Sequence, residues 1–550
     1  MTRFLLIAPK PPWEVDFRGL GSAGMGMTRV PSLAAATVAA LAPVGIVPKI
    51  VDEAVEPVDF GLAADFVGIT ANISQAERAI AIARGFRARG RTVVIGGPHV
   101  SLDPSAFAEE CDVMVIGEFE PVADEFYRDM LKGTLKPVYR GDRAEMSNSP
   151  IPAWQLIDPD RALIGIAQTS RGCPFECNFC DVIQYLGRRQ RHKNDAQVVA
   201  ELQTLYDLGF NQIQLADDNL TVYRKRATSL LTSIRDWNGG DGRDHVSFST
   251  QVSIDIARDD EMLQLCAEAG LNSVFIGVET INQESLRASN KRQNLNVDLA
   301  AQVSHVVSHG VQVDPGLMVG FDADTLRIFE QQFEFAMQLP VATLKVSVLV
   351  APVATPLYEQ MRATGRLAAG SPLDMFPGTD SMSNILPAQM SREQLQIGAR
   401  WLVSRLHSPA AFSHRLRHIA RLIPPNPLRH RGSGKLHNPP GRNRSNRLYA
   451  RLMIAVAKSG PDAARVIDEA TGLMRLRPDI ADGIGRALGS WALNYYSFVQ
   501  KRAYDDEWAR LPTPPFDTAL RTPNLVGLPQ PVLQNARTLV ARNNSGAVAR

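Results

Sequence analysis

The chain has 550 residues, 45% hydrophobic and 21% charged, and its Lys+Arg and Asp+Glu nearly cancel to a formal charge of +2. That length predicts about three domains with ample apolar content for their cores. The charge balance excludes a global attraction to nucleic acid, and no apolar run is long enough to span a membrane. Five cysteines in such a chain, with no secretory leader legible at its start, exclude a disulfide scaffold and lead us to expect a cytoplasmic protein.

Residues 1–150 read as a doubly wound α/β domain. Phe4–Ala8 is a short apolar strand, Ser32–Ala42 a helix, and Pro48–Val51 a strand leading into Asp52 and Glu53. Phe66–Thr70 is a strand followed by a helix over Gln75–Arg89. Thr92–Ile95 ends in Gly96-Gly97-Pro98-His99, and Val113–Ile116 in Gly117-Glu118-Phe119-Glu120. A dinucleotide fold would carry Gly-x-Gly-x-x-Gly after its first strand, and that motif is missing.

Next comes Ser-Arg-Gly-Cys-Pro-Phe-Glu-Cys-Asn-Phe-Cys-Asp over 170–181. Cys173, Cys177 and Cys180 can each reach one corner of an iron–sulfur cube and leave its fourth iron without a protein ligand. A structural zinc site needs four closed ligands, and no other Cys-x-x-Cys pair exists in the chain. Cys111 and Cys266 are isolated and read as small buried hydrophobes.

Around this loop, apolar runs alternate with amphipathic segments. The runs are Leu163–Gln168, Gln212–Leu215, Val246–Ile254, Ser273–Val278, Gln312–Val319 and Leu344–Val350; Ala196–Leu208, Asp260–Ala269 and Phe329–Leu339 lie between them. Such alternation predicts a parallel sheet with right-handed crossovers, here a partial (β/α)6 barrel over 151–390. Its reactive end is where the strands finish. Asp217, Asp218, Asn219, Ser249, Gln251, Glu279, Thr280 and Asp322 stand at or near those ends, where a helix cap or a solvated turn is the competing explanation for each carboxylate.

A third region, 391–550, reads as a mainly helical, basic extension. From Gln394 to Pro461 there is no Asp or Glu, while Arg400, Arg405, Arg415, Arg417, Arg421, Arg429, Arg431, Lys435, Arg442, Arg444, Arg447, Arg451 and Lys458 all fall inside. Leu416, Ile419, Leu422 and Ile423 make an apolar stripe beside these cations, followed by a Pro- and Gly-rich loop over 424–446. A solvated helix face with a linker is one reading; peripheral contact of 400–458 with an anionic inner membrane face is another, and an anionic substrate or nucleic acid a third. Helices are expected over Leu448–Ala457, Asp462–Leu476 and Ile480–Lys501, and poor order over 510–550.

The Cys-x-x-x-Cys-x-x-Cys loop, with Phe179 just before its last cysteine, resembles the radical S-adenosylmethionine (SAM) enzymes. The resemblance implies a [4Fe-4S] cluster on Cys173, Cys177 and Cys180 whose open iron chelates SAM and splits it to a 5′-deoxyadenosyl radical. It places Phe179 near the adenine, and Ile-Gly-Val-Glu-Thr (276–280) with Lys291 at the ribose and methionine carboxylate. Asp218, Ser249, Gln251, Glu279 and Lys291 are the implied SAM contacts. Asp-Asp-Asn at 217–219, in place of the family's frequent Gly-Gly-Glu, resembles its cobalamin-dependent branch.

The loops Gly-Ile-Thr-Ala-Asn, Gly-Gly-Pro-His and Gly-Glu-Phe-Glu resemble the cobalamin-binding domain fused to the front of that branch. Thr70, Ala71, Asn72, Gly96, Gly97, Pro98, His99, Gly117, Glu118 and Glu120 are the implied cobalamin contacts, the glycines letting backbone approach the corrin. The Asp-x-His-x-x-Gly motif that supplies a cobalt histidine is absent. Ala71 and Asn72 are therefore expected under the cobalt, and His99 in a tail or turn contact.

Ala354-Thr355-Pro356-Leu357-Tyr358 and Gly365-Arg366-Leu367 resemble the barrel-closing region, and Asn384-Ile385-Leu386-Pro387, followed by Met390-Ser391-Arg392-Glu393, the extension shared by hopanoid methylases and their relatives. The implied activity is methylation of an unactivated carbon in a small molecule or lipid, with an electron donor such as flavodoxin or ferredoxin. A cyclase or ring-rearranging enzyme of the same branch, and a non-catalytic cofactor-binding sensor, stay open. Nothing in the sequence assigns a general base or a radical-quenching residue.

Overall fold

The structure is a computed structural model, describing residues 1–11, 26, 28–240, 243–368, 383–423 and 442–496. Its first unit is a six-stranded parallel sheet in the order β2-β1-β3-β4-β5-β6. The strands are β1 (Thr2–Ala8), β2 (Ile46–Asp52), β3 (Phe66–Thr70), β4 (Thr92–Gly96), β5 (Val113–Gly117) and β6 (Val138–Gly141), with helices α1 (Leu33–Ala40), α2 (Ala76–Arg87), α3 (Pro98–Leu102) and α4 (Ala123–Lys132). Parallel strands must be covered on both faces. Phe86, Ile82 and Val67 fill one side, and Phe4, Phe126 and Tyr127 the other.

The second sheet, also parallel, runs β14-β13-β12-β11-β10-β7, so the seam between β14 and β7 carries no strand pairing. It comprises β7 (Gly165–Ala167), β10 (Gln212–Leu215), β11 (Ser247–Val252), β12 (Leu271–Glu279), β13 (Gln312–Val319) and β14 (Lys345–Val348). A two-stranded antiparallel clip, β8 (Ser170–Arg171) with β9 (Arg191–His192), and a short helix α5 (Val182–Tyr185) frame the cysteine loop. The outer layer is α6 (Asp195–Asp207), α7 (Arg224–Trp237), α8 (Asp260–Ala269), α9 (Gln283–Ala288), α10 (Leu299–Ser308), α11 (Ile328–Gln338) and α12 (Pro356–Ala363). All six expected barrel strands are present, most of them with ends moved by a few residues.

Beyond the barrel lie α13 (Arg392–Leu406), α14 (Pro409–Leu422), α15 (Arg442–Ala457), α16 (Pro461–Leu476) and α17 (Ala481–Asn494). These helices share one hydrophobic core with the barrel: Trp401, Leu416 and Trp491 belong to the same cluster as Val274 and Val313. Trp491 stacks on Phe412 at 4.9 Å between ring centroids and donates its indole N–H to the His407 carbonyl at 2.8 Å.

Here the basic stretch departs from expectation. Leu416, Ile419 and Ile423 are buried, so the apolar stripe of α14 faces the protein and is unavailable to a membrane. Arg415 is fully buried, donating to the Leu406 carbonyl at 2.7 Å. Arg417, though exposed, is held by Glu469 of α16 and by the Ser413 hydroxyl. A run without acidic residues is thus partly compensated by a carboxylate from another helix. Helix α15 begins at Arg442, six residues before the expected Leu448, and α17 ends at Asn494. Residues 424–441 and the expected disorder over 510–550 lie outside the described residues. No helix among the described residues is long and apolar enough to cross a membrane.

Candidate functional site

The cysteine loop leaves the C-terminal end of β7, where loops of a parallel barrel gather. Gly172 opens it in a left-handed conformation, φ 99°, and a Cβ there would lie 2.8 Å from the Arg189 carbonyl oxygen. Its N–H donates to the Asp218 carboxylate at 2.7 Å. Farther on, the Asn178 N–H donates to the Ser289 carbonyl at 3.1 Å, and its own carbonyl accepts from the Leu357 N–H at 3.0 Å. The loop is therefore tied to β10, to the segment after β12 and to α12.

Cys173, Cys177 and Cys180 are free thiols, close enough that Cys177 perturbs both of the others. Burial pushes all three up, Cys180 to about 12, so as bare thiols they stay protonated. Binding to iron supplies the compensation that burial removes, because a metal takes the thiolate. Three converging sulfurs, none in a disulfide, fit a cluster with one open iron. Cys111 and Cys266 are buried in other cores, as expected.

Opposite the sulfurs stands a buried ion pair, Lys291 Nζ to Glu279 Oε1 at 2.7 Å. Burial alone would lower the Lys291 ammonium, but Glu279, Cys177 and Cys180 more than reverse that and hold it above its ordinary value. Glu279 ends β12 at φ 64°, beside an irregularity in the β12–β13 register. A non-glycine residue in the left-handed region costs about 1–3 kcal/mol and persists where its surroundings enforce it. Gln332 donates to the Glu279 carbonyl at 3.1 Å, and Asn294 to the Gly277 and Val278 carbonyls at 3.0 and 2.8 Å. In this conformation the carboxylate meets the Lys291 ammonium.

The other expected SAM residues divide. Ser249 and Gln251 lie on the concave face of β11, since Phe248 and Val252 of that strand belong to the outer core. Phe179 packs edge-on against Phe321, 6.3 Å between centroids, in a small apolar cluster at the barrel mouth. Asp218 is engaged by the loop backbone, and burial raises its carboxyl to about 6. Asp217, also raised to about 6 by burial, accepts from Thr169 and Ser170 and leaves one buried oxygen without a partner. Sequence reading missed Gln293, whose amide lies 4.0 Å from Cys177 Sγ; its place two residues after Lys291 was the available signal.

In the first domain the glycine loops crowd the C-terminal edge of the sheet. Gly97, at φ 111°, would place a Cβ 2.8 Å from the Ala71 carbonyl oxygen, and Gly117, at φ 87°, would place one 2.0 Å from that of Gly141. These glycines are required by neighbouring backbone, a different reason from the cofactor approach expected of them. Gly96 has only ordinary contacts, and Thr70 packs its hydroxyl beside Gly97. Ala71 is fully buried, and Asn72 caps the turn that follows, exchanging hydrogen bonds with Gln75. Pro98 opens α3 and places His99 in the buried layer against Phe107, 5.5 Å between centroids. Burial lowers the His99 ring, and its Nδ1 is buried without a hydrogen-bond partner. An orphaned buried nitrogen beside the Gly97 turn, with backbone loops around it, fits a ligand rich in amide groups, as a corrin is.

Glu118 and Glu120 are placed differently from expectation. Glu118 bonds Arg171 at 2.6 Å and Arg191 at 2.5 Å, and Glu120 bonds Arg171 at 2.7 Å. Both carboxylates are turned to the barrel, where Arg171 precedes Cys173 by two residues and Arg191 sits on β9. The two arginines, missed in the sequence, join the β5 loop to the cluster loop through a buried network. Glu118 also accepts from the Ala144 N–H at 3.1 Å, and the Arg171 Nε donates to Gln168 at 2.8 Å.

Residues 168–335 match the Radical SAM superfamily model. The chain is 31% identical over 281 residues to the hopanoid C-2 methylase of Rhodopseudomonas palustris (strain TIE-1), covering 50% of this chain and 53% of that one. It is 27% identical over 308 residues to the bacteriochlorophyllide d C-12(1)-methyltransferase of Chlorobaculum tepidum, covering 54% of this chain and 66% of that one. The matched region is thus about half to two thirds of these curated relatives. The fold is shared with the radical SAM methyltransferase TsrM of Kitasatospora setae, solved with cobalamin and a [4Fe-4S] cluster: TM-score 0.55, 16% identity, 83% of this chain and all of that one covered. Three converging thiols thus stand at the mouth of a six-stranded parallel barrel, and residues 168–335, which make up most of that barrel, are similar to the Radical SAM superfamily.

Proposed function

We propose that this protein is a cobalamin-dependent radical SAM methyltransferase acting on an unactivated carbon. The observation that carries the reading is the buried Arg171–Glu118–Arg191 network with Glu120, which ties the loop after β5, one of the three glycine loops, to the start of the cysteine loop of the barrel. The relatives described above, methylases by name, support the same chemistry. When bound, the cluster and SAM supply a hydrogen-abstracting radical and cobalamin supplies the methyl group.

This chain's residues hold and orient. Cys173, Cys177 and Cys180 anchor the cluster; Glu279 and Lys291 offer an anion and a cation to the methionine and ribose ends of SAM. Phe179 and Phe321 present an apolar face at the barrel mouth. The loops after β3, β4 and β5, with the free His99 nitrogen, hold the corrin edge. An electron donor such as flavodoxin or ferredoxin is the partner this chemistry needs.

The test is an anaerobic incubation of the reconstituted full chain with methyl-labelled SAM, hydroxocobalamin, a reductant and fractionated cell extract including lipids. Label in an extract component together with S-adenosylhomocysteine and 5′-deoxyadenosine is expected. Formation of 5′-deoxyadenosine with an altered but unlabelled component would instead establish the cyclase or rearrangement reading.

A further inference from the structure

The outer layer of the barrel carries a group of ligating side chains distinct from the cysteines. His305 stands in the last turn of α10 and His309 at its C-cap, and an i,i+4 spacing brings both rings to one face. Their centroids lie 4.7 Å apart. Asp260, the first residue of α8, meets them from the neighbouring helix: its Oδ1 is 2.7 Å from His305 Nε2 and 3.8 Å from His309 Nε2. All three donor atoms lie within 4.8 Å of one another. Two ligand atoms on a tetrahedral zinc-type ion stand about 3.3 Å apart, since each metal–ligand bond is about 2.0–2.1 Å. The two observed separations bracket that value, so side-chain shifts of about half an ångström admit an ion.

Hydrogen bonding sets the orientation of the group. His309 Nδ1 lies 3.0 Å from the His305 carbonyl oxygen. A carbonyl only accepts, so Nδ1 carries the proton and the neutral ring turns the lone pair of Nε2 toward Asp260. Two acceptors then face each other over 3.8 Å with no proton between them, which a simple tie between helices does not require. A backbone carbonyl on the far ring nitrogen is the usual partner of a metal-binding histidine. The carboxylate is also kept available. Asp259 and Glu261, on either side, are both held by Arg224, whereas Asp260 meets no lysine or arginine among the described residues. The backbone beneath is fixed: Asp259 caps α8 and Asp298 caps α10. Asp260 is exposed and both histidines are half-buried, so an ion reaches them from solvent.

We propose that Asp260, His305 and His309 bind one divalent transition ion of zinc's borderline character, with water completing its coordination. Two imidazoles and a carboxylate select such an ion over magnesium or calcium, which take oxygen ligands. The ion replaces the proton that lies between His305 Nε2 and Asp260, and that proton moves to His305 Nδ1, so none is released. Binding clamps the start of α8 to the end of α10. These helices lead into β12 and β13, the pair whose irregular register holds Glu279, so the ion braces the frame of the barrel and takes no part in its chemistry.

The test treats the cluster-loaded full chain, kept anaerobic, with diethyl pyrocarbonate in the presence of zinc chloride or magnesium chloride, and reads modification of each histidine by peptide mass spectrometry. At about ten times its Kd zinc should slow modification of His305 and His309 about ten-fold, since only the free fraction reacts. Magnesium at the same concentration should not. His414 and His418 repeat the spacing on α14, but among the described residues no carboxylate completes a ligand group with them. Zinc that protects the α10 pair should leave these two reactive. Asp260→Asn should raise the zinc needed for protection about ten-fold or more, a loss that even the outer shell of a metal site can cause. His309→Gln, which leaves the His305–Asp260 bond intact, should do the same. Zinc should also slow amide exchange at 259–262 and 305–309 in wild type and in neither variant. Equal protection of both histidine pairs, or protection unchanged in the two variants, overturns the proposal and leaves an adventitious ion only. Absence of protection at every zinc concentration that the cluster survives overturns it as well.

Discussion

Glu279 shows what a residue can reveal and conceal. Its place at the end of an apolar strand was legible, and resemblance supplied Lys291 as its companion. The positive φ was not, because it arises from the β12–β13 irregularity and from Asn294 and Gln332 bonding to the carbonyls around it. Breaking a buried ion pair leaves one charge uncompensated, at a cost of about 3–5 kcal/mol. Glu279→Gln should therefore lower the stability measured by denaturant unfolding by that order and weaken SAM binding, both read on the full chain. A variant with wild-type stability and unchanged SAM affinity would contradict the role given to the pair. Arg415 is the opposite case: its composition suggested a solvated face, and only the packing of α14 onto the barrel buries it.

Elements were legible where their periodicity is local. Apolar residues recur at alternate positions in barrel strands such as Gln212–Leu215 and Ser247–Val252, and the helices between them carry stripes, so their order followed from the sequence. What the stripe of α14 packs against did not, since a membrane and a protein core ask for the same apolar spacing. The α13–α14 corner also carries a buried titratable group. His407 is buried, its Nδ1–H donating to the Val403 carbonyl at 2.9 Å while Nε2 accepts from the Asn494 amide at 3.2 Å. Burial above all lowers its pKa from 6.5 to about 4. The unfolded chain takes up a proton below 6.5 and the folded chain does not until about 4. The stability is therefore complete above 6.5 and is lost progressively as pH falls toward 4, by about 3 kcal/mol. The difference in unfolding free energy between wild type and His407→Gln should shrink across that window, and a pH-independent difference would contradict it.

At the scale of the molecule, the arrangement depends on contacts between residues far apart in sequence. Glu118 and Glu120 stood at a strand end that predicts a ligand-facing loop; their partners, Arg171 and Arg191, come from a different domain, and no local pattern announces them. Glu118→Ala would leave two buried guanidiniums short of a carboxylate, again about 3–5 kcal/mol, spent at the junction of the two sheets. Hydrogen exchange should rise in the β8–β9 clip and in the loop after β5, while the centre of the first sheet stays protected. Unchanged exchange at the junction would show that the network does not hold the domains together.

The central claim is that the three cysteines carry a SAM-cleaving cluster. The most direct measurement is the amount of 5′-deoxyadenosine formed from SAM by the anaerobically reconstituted, reduced full chain, set against Cys177→Ala. Wild type should form 5′-deoxyadenosine and the variant none, together with loss of the visible cluster absorbance. Reductive cleavage of SAM by Cys177→Ala at the wild-type rate would contradict it.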